Sequence, residues 1–196
     1  MPKGVPKLDT ELAKLNMMFD RGVDLDNRII YIFGEINDSM AENVIMSLQH
    51  LSITDPLAGI TIMINSEGGT VSSMFAIYDA MRACTNEIIT IGIGEVCSAA
   101  GLLLVAGDKR LASRNCLFMA HQMIGGYSPD ENIDTIEAQV AANKMCWDRW
   151  AVAMAEHTHQ KVNYWKRELP SKLNELWLPV EKMKMPKYGI VDGVWE

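Results

Sequence analysis

The segment Thr90-Ile91-Gly92-Ile93-Gly94-Glu95-Val96-Cys97-Ser98-Ala99-Ala100-Gly101-Leu102-Leu103-Leu104-Val105-Ala106-Gly107 passes from one kind of secondary structure to another. The β-branched run Ile88–Ile93 is apolar at successive positions and predicts a buried strand closed by Gly94. Ala99-Ala100-Gly101 then opens an apolar helix of about two to three turns. Ser98 stands at the junction, near the positive end of the helix dipole and beside amides that have no intrahelical partner. Its small neighbours let another backbone or a substrate approach closely. Those surroundings suit an acyl-transfer nucleophile. They suit a plain N-capping serine at least as well, and this stretch alone does not decide between the two.

Upstream, the same alternation occurs twice more. Arg28–Phe33 reads as a strand closed by Gly34, and Ser39 with Glu42 reads as a capping box opening a helix to about Leu51. Leu57–Ile64 leads into a strand over Ile60–Ile64. It ends in Asn65-Ser66-Glu67-Gly68-Gly69, and a helix follows from Ser72 to about Cys84. Paired glycines between strand and helix either form a tight turn or leave main-chain N–H groups bare to a ligand. Three strand–helix units predict an α/β domain with a largely buried sheet.

Downstream, Cys116–Ala120 reads as a fourth strand that stops at His121-Gln122. A histidine at the carboxyl end of a buried strand lies on the edge where α/β folds place their chemistry, although a lone histidine there also serves purely structural ends. After the break Gly125-Gly126-Tyr127-Ser128-Pro129, Asp130 to about Glu156 predicts a long amphipathic helix. Ile133, Val140, Trp147 and Met154 recur every seven residues, with Ile136 and Trp150 three beyond members of that row, a coiled-coil-like seam. Its length and its tryptophans predict packing on another subunit. The tail continues with a helix through Arg167, a break at Pro170, and a final turn and strand over Tyr188–Val194. Residues 1–27 read as a flexible N-terminal arm with a short helical hint at Thr10–Phe19, and 28–196 as one domain.

The net charge of −7 without a basic cluster argues against nucleic acid or an anionic membrane surface as a partner. No apolar run approaches the roughly 18 residues that span a bilayer. The opening Met1-Pro2-Lys3-Gly4-Val5-Pro6 lacks the apolar core of a signal peptide. Cys84, Cys97, Cys116 and Cys146 are scattered without metal spacing, which predicts a reducing, cytoplasmic setting and no metal. His157-Thr158-His159 is a poor metal site without a third ligand.

Taken together, these residues resemble the ClpP family, the self-compartmentalised serine peptidases of the Clp protease, over about Arg28 to Val194. Ile64-Asn65-Ser66-Glu67-Gly68-Gly69 is similar to that family's Ile-Asn-Ser-Pro-Gly-Gly, and Ile77-Tyr78-Asp79-Ala80-Met81 to its Ile-Tyr-Asp-Thr-Met. Val96-Cys97-Ser98-Ala99-Ala100 resembles the nucleophile motif Ala-Ala-Ser-Met-Gly. Met119-Ala120-His121-Gln122, with Gly125-Gly126, resembles Met-Ile-His-Gln-Pro-Leu-Gly-Gly. Tyr188-Gly189-Ile190-Val191-Asp192 is similar to Tyr-Gly-Leu-Val-Asp.

The resemblance implies a crotonase/ClpP-like α/β fold with a protruding handle helix at about 130–156, assembling into heptameric rings stacked in pairs. It implies Ser98 as nucleophile, His121 as general base, and oxyanion donors from Gly69 and Ala99 with Gly68 shaping the turn. The family's orienting acid belongs to an Arg-Asp pair before an aromatic segment. Matching Leu176-Trp177-Leu178 to that segment places Asn174-Glu175 at the pair, which makes Glu175 the third triad residue; Asn174 could orient the ring without neutralising it, and Glu168 is a further candidate. Cys97 takes the place of a small core residue and is expected buried and inert. The resemblance further implies no cofactor, substrates that are peptides or unfolded proteins, and an AAA+ unfoldase of the ClpX, ClpA or ClpC type as partner. Two other readings are a catalytically inert ring subunit beside an active paralogue and a CoA-ester enzyme of the same broad fold, which would leave Ser98 and His121 without a role.

Overall fold

Strand β4 (Ile88–Cys97) is shared by two halves of one sheet in the computed structural model, which describes residues 7–124, 130, 132–169 and 175–196. Along its first half it lies parallel to β3 (Ile60–Ser66) on one side and β5 (Lys109–Ser113) on the other. Beyond Gly94, β5 gives way to β6 (Leu117–His121), which is also parallel to β4 and pairs antiparallel with β7 (Glu175–Pro179). The outer strands are β1 (Val23–Asp24) and β2 (Ile29–Phe33) beside β3, and β8 (Gly193–Trp195) beside β5. Together they form an eight-stranded mixed sheet, and the α/β architecture expected from the strand–helix alternation is present.

The isoleucine runs become strands because alternate residues face a closed interior. Ile30 and Ile32 of β2 and Ile60, Ile62 and Ile64 of β3 are fully buried. Helices α2 (Asp38–Thr54) and α3 (Val71–Ala83) pack together over that interior. Ala41, Val44, Leu48 and Leu51 form the buried stripe of α2, at helical spacing. Helix α4 (Ala99–Val105) is buried at every position and threads the centre of the core. Thr90, buried beneath it, donates its hydroxyl to the Leu104 carbonyl at 2.7 Å, so this buried polar side chain is satisfied.

Several sequence expectations need correction. The cap of α2 is Asn37, whose Oδ1 accepts from the Met40 amide at 3.0 Å, and not Ser39, which lies inside the helix. The segment read as an arm contains α1 (Lys7–Arg21) and β1. Val23 is buried, β1 pairs with β2, and Lys14 reaches Asp26 at 2.8 Å, so the sheet begins inside that segment. Helix α5 spans Ile133–His157, close to its expected range, but its tryptophans face inward. Trp147 and Trp150 are 7% and 3% exposed and stack at 4.8 Å, and Trp165 meets Trp150 edge-on at 5.7 Å. Only the amino-terminal half of the seam stays open, with Ile133 73% exposed. After α5 the chain forms a π-helical turn, Tyr164–Glu168, instead of an α-helix throughout. The breaks at 125–129 and Pro170, and Asn174, lie outside the described residues.

Arg110 of β5 closes the structure at the far end. Its guanidinium donates to the carbonyls of His157 and Gly189 and pairs with Asp192, tying the end of α5 to the last strand.

Candidate active site

Ser98 follows the last residue of β4 and precedes α4. Ile64 faces Gly92 whereas Ser66 faces Val96, so β4 bulges at Gly94 and its second half is aimed at β6. The Ser98 amide donates to the Met119 carbonyl on β6 at 2.8 Å. Its backbone is held at φ 55, ψ −119; Arg28 is the other non-glycine residue with positive φ among those described. Such a conformation costs on the order of 1–3 kcal/mol and persists only where surrounding packing enforces it. Here Cys97 and Ala99, on either side, are buried. The hydroxyl makes no capping bond, so the N-cap reading of Ser98 does not account for its side chain.

Instead, Ser98 Oγ lies 2.8 Å from His121 Nε2, across the β4–β6 pair. With the ring proton on Nδ1, the hydroxyl donates to Nε2, the arrangement in which a base can take that proton. His121 ends β6 and is half-buried, at the strand edge where the sequence placed it.

The glycine pair closes against this serine. Gly68 has φ +104 and Gly69 φ +152. A Cβ on Gly68 would stand 2.7 Å from both the Cys97 carbonyl oxygen and Ser98 Cβ, and one on Gly69 would stand 2.2 Å from the Ile36 carbonyl oxygen. Only glycine permits that approach. The Gly68 amide donates to Ser66 Oγ at 3.0 Å, and Ile36 brackets the turn by donating to Gly68 O and accepting from the Thr70 amide. Among the described residues the amides of Gly69 and Ala99 donate to no other group, which leaves two donors beside Ser98. Ser66, buried at the end of β3, is a turn-holding residue that sequence reading missed; a hydroxyl two residues before a glycine is its only signal.

Glu175 opens β7 directly opposite His121, and side chains of facing residues project from the same side of a sheet. Its Oε2 accepts from the indole Nε1–H of Trp177 at 2.8 Å. Among the described residues no carboxylate is hydrogen-bonded to the His121 ring. Asn174 and the Glu168 side chain lie outside what the structure describes. Cys97 is buried, and its thiol is pushed up to about 11, first by burial and then by the carboxylate of Glu95, with Glu175 and Glu67 adding to it. A thiol held neutral is a poor nucleophile.

A cleft of about 140 Å³ opens beside Ser98 and His121, walled by Val71, Met74, Trp147 and Trp150. The two tryptophans reach it because α5 crosses beside α4, a tertiary fact with no sequence signal beyond their three-residue spacing. A larger groove, about 620 Å³, lies between α1, β2 and α2, and its lining contains no histidine and no serine–base pair. Among the described residues no group of three His, Cys, Asp or Glu side chains is placed to hold a metal ion, and no helix is long and apolar enough to cross a membrane.

Residues 16–196 match the family model described as Clp protease. Over 172 residues the chain is 32% identical to ATP-dependent Clp protease proteolytic subunit 1 of Rhodopirellula baltica, a similarity that covers 87% of this chain and 73% of that protein.

Proposed function

The chain belongs to the Clp protease family, and from that premise we propose that it is a serine endopeptidase subunit that cleaves peptides and unfolded proteins through an acyl-enzyme at Ser98. The observation that carries the reading is the 2.8 Å approach of Ser98 Oγ to His121 Nε2, at a serine whose strained backbone leaves its hydroxyl free of capping. In the reaction His121 takes the hydroxyl proton as Ser98 attacks the scissile carbonyl. The Gly69 and Ala99 amides receive the developing oxyanion, and His121 returns its proton to the leaving amine. Glu175 is the third member, accepting from His121 Nδ1–H and stabilising the imidazolium; its place opposite His121 on β7 supports that role. The exposed amino-terminal half of α5 supports its use as a handle between stacked rings. Family membership supports heptameric rings, delivery of substrate by an AAA+ unfoldase, and work in the cytoplasm.

A catalytically inert ring subunit is the second reading, favoured by the lack of a carboxylate bonded to His121 among the described residues. A fluorophosphonate probe separates the two. The serine endopeptidase forms an adduct on Ser98 in the assembled protein, and cleavage of a fluorogenic peptide stops in step with labelling. An assembled protein that stays unlabelled at Ser98 overturns the catalytic reading.

A further inference from the structure

We propose that Trp177 is a positioning residue, whose indole N–H holds the Glu175 carboxylate ready for His121; the inference rests on the triad of Ser98, His121 and Glu175 proposed above. In the resembling family the orienting acid is an aspartate. Here it is a glutamate, one methylene longer, on the exposed face of β7. A free glutamate side chain samples many rotamers, and holding it in one costs side-chain entropy. An acid with that freedom orients an imidazole poorly unless something fixes it.

Trp177 supplies the fixing group. Residues 175 and 177 lie on the same face of β7, and the register sets them opposite His121 and Met119 of β6. Facing residues of an antiparallel pair have Cβ atoms roughly 4.5–5.5 Å apart, within a glutamate's reach of the facing ring. The indole N–H donates to Oε2 at 2.8 Å. A carboxylate accepts at both oxygens, so Oε1 is left for His121 Nδ1–H, a bond not formed in the resting geometry described above, while Nε2 faces Ser98. Burial does not explain the tryptophan: the residue is 46% exposed, and among the described residues its indole N–H donates to this acid alone. The longer acid and the N–H two residues on therefore form one device, in which the donor removes the freedom that the extra methylene adds.

The test compares the full chain with Trp177→Phe, Glu175→Gln and the double variant in a fluorogenic-peptide assay across pH. Phenylalanine keeps the ring and deletes the donor. We expect Trp177→Phe to lower kcat roughly three- to tenfold, the scale of a single net hydrogen bond at an exposed site, with KM unchanged. The acid limb of its kcat profile shifts to lower pH, because a less firmly held carboxylate stabilises the imidazolium less. In the Glu175→Gln background the same change has no further effect. A Trp177→Phe variant with the parent kcat and pH limb beside an impaired Glu175→Gln overturns the proposal and spares the triad. A Trp177→Phe variant that is faster than the parent also overturns it, since the indole then withholds the acid. Glu175→Gln at the parent rate removes the acid's role altogether, and the Ser98–His121 reading fails separately if Ser98→Ala keeps turnover.

Discussion

Replacing Gly68 by alanine tests whether the glycine turn and the serine form one packed unit. At φ +104 an L-residue pays about 1–2 kcal/mol for its backbone alone. The new Cβ would also meet the Cys97 carbonyl oxygen and Ser98 Cβ at 2.7 Å and the Ala99 amide nitrogen at 3.0 Å. The first and last of those neighbours are backbone atoms, and Ser98 is flanked by the buried Cys97 and Ala99, so relief requires displacing them, which costs about 1–3 kcal/mol more. The sum, about 2–5 kcal/mol, corresponds to a melting temperature lower by about 4–20 °C for a chain of this size. Displacement of Ser98 or of the Ala99 amide by a fraction of an ångström should cost on the order of 10²-fold in kcat. Gly34→Ala is the control: its φ is +79, but nothing lies within 4 Å of the added carbon, so only the backbone cost of about 1–2 kcal/mol applies. Thermal unfolding followed by circular dichroism, with peptidase assays on the same preparations, reads both quantities. If Gly68→Ala melts with Gly34→Ala and cleaves peptide at the parent rate, the turn is not packed against the serine as described.

Ser98→Ala should abolish peptide cleavage while lowering the melting temperature by no more than a few degrees, since one half-exposed hydrogen bond is worth about 0.5–1.5 kcal/mol; residual turnover would place the nucleophile elsewhere. Trp165→Ala should cost about 3–5 kcal/mol, because the side chain is fully buried, edges onto Trp150 and donates to Thr158 Oγ1 at 3.1 Å; the guanidinium midpoint measures it, and a midpoint close to the parent's would mean this end of the core is loosely packed. Asp192 gives a pH prediction. Burial pushes its carboxyl up, but hydrogen bonds from the Arg110 side chain and amide outweigh that and hold it below its ordinary value of 3.8. A group depressed in the folded state stabilises fully above its unfolded value and loses that contribution as pH falls through the folded one. The stability difference between the parent and Asp192→Asn should therefore be constant near neutral pH and shrink below about pH 4, with denaturant titrations as the readout; a difference independent of pH would assign the pairing no role.

The parts of the fold legible in the sequence were those in which one residue type repeats with one environment. Ile30/Ile32 and Ile60/Ile62/Ile64 announce buried strands because nothing but a closed interior suits them. Strand β5 was not legible: two of the five residues Lys109-Arg110-Leu111-Ala112-Ser113 are charged, and it is a strand because β4 and β8 flank it with hydrogen-bond partners. The α2 cap was missed because Asn37, Asp38 and Ser39 are all capable caps, and only the backbone angles choose among them. At the site, Ser98, His121 and the glycine pair could be picked out as strand-end residues, but local chemistry left each with a structural alternative. Their convergence depends on the bulge at Gly94 that turns β4 from β5 to β6, and pairings so distant in sequence leave no local trace. The tryptophans of α5 were placed on another subunit because periodicity reports a stripe and not what lies beneath it; half of that stripe covers the protein's own cleft.

Because β4 is claimed by β3 and β5 at one end and by β6 at the other, Ser98 is anchored in a densely paired part of the sheet, which should open last. Exchange of the Ser98 amide with deuterium, blocked by the Met119 carbonyl, should then proceed only through whole-chain opening, with the same denaturant dependence as the slowest core amides. A chain built this way loses the geometry around Ser98 and its fold in a single event, so heating should leave no interval of folded but inactive protein. Selection for a faster enzyme would then act on the rim around the serine, where β7 keeps an exposed face, more readily than on the serine's own strand.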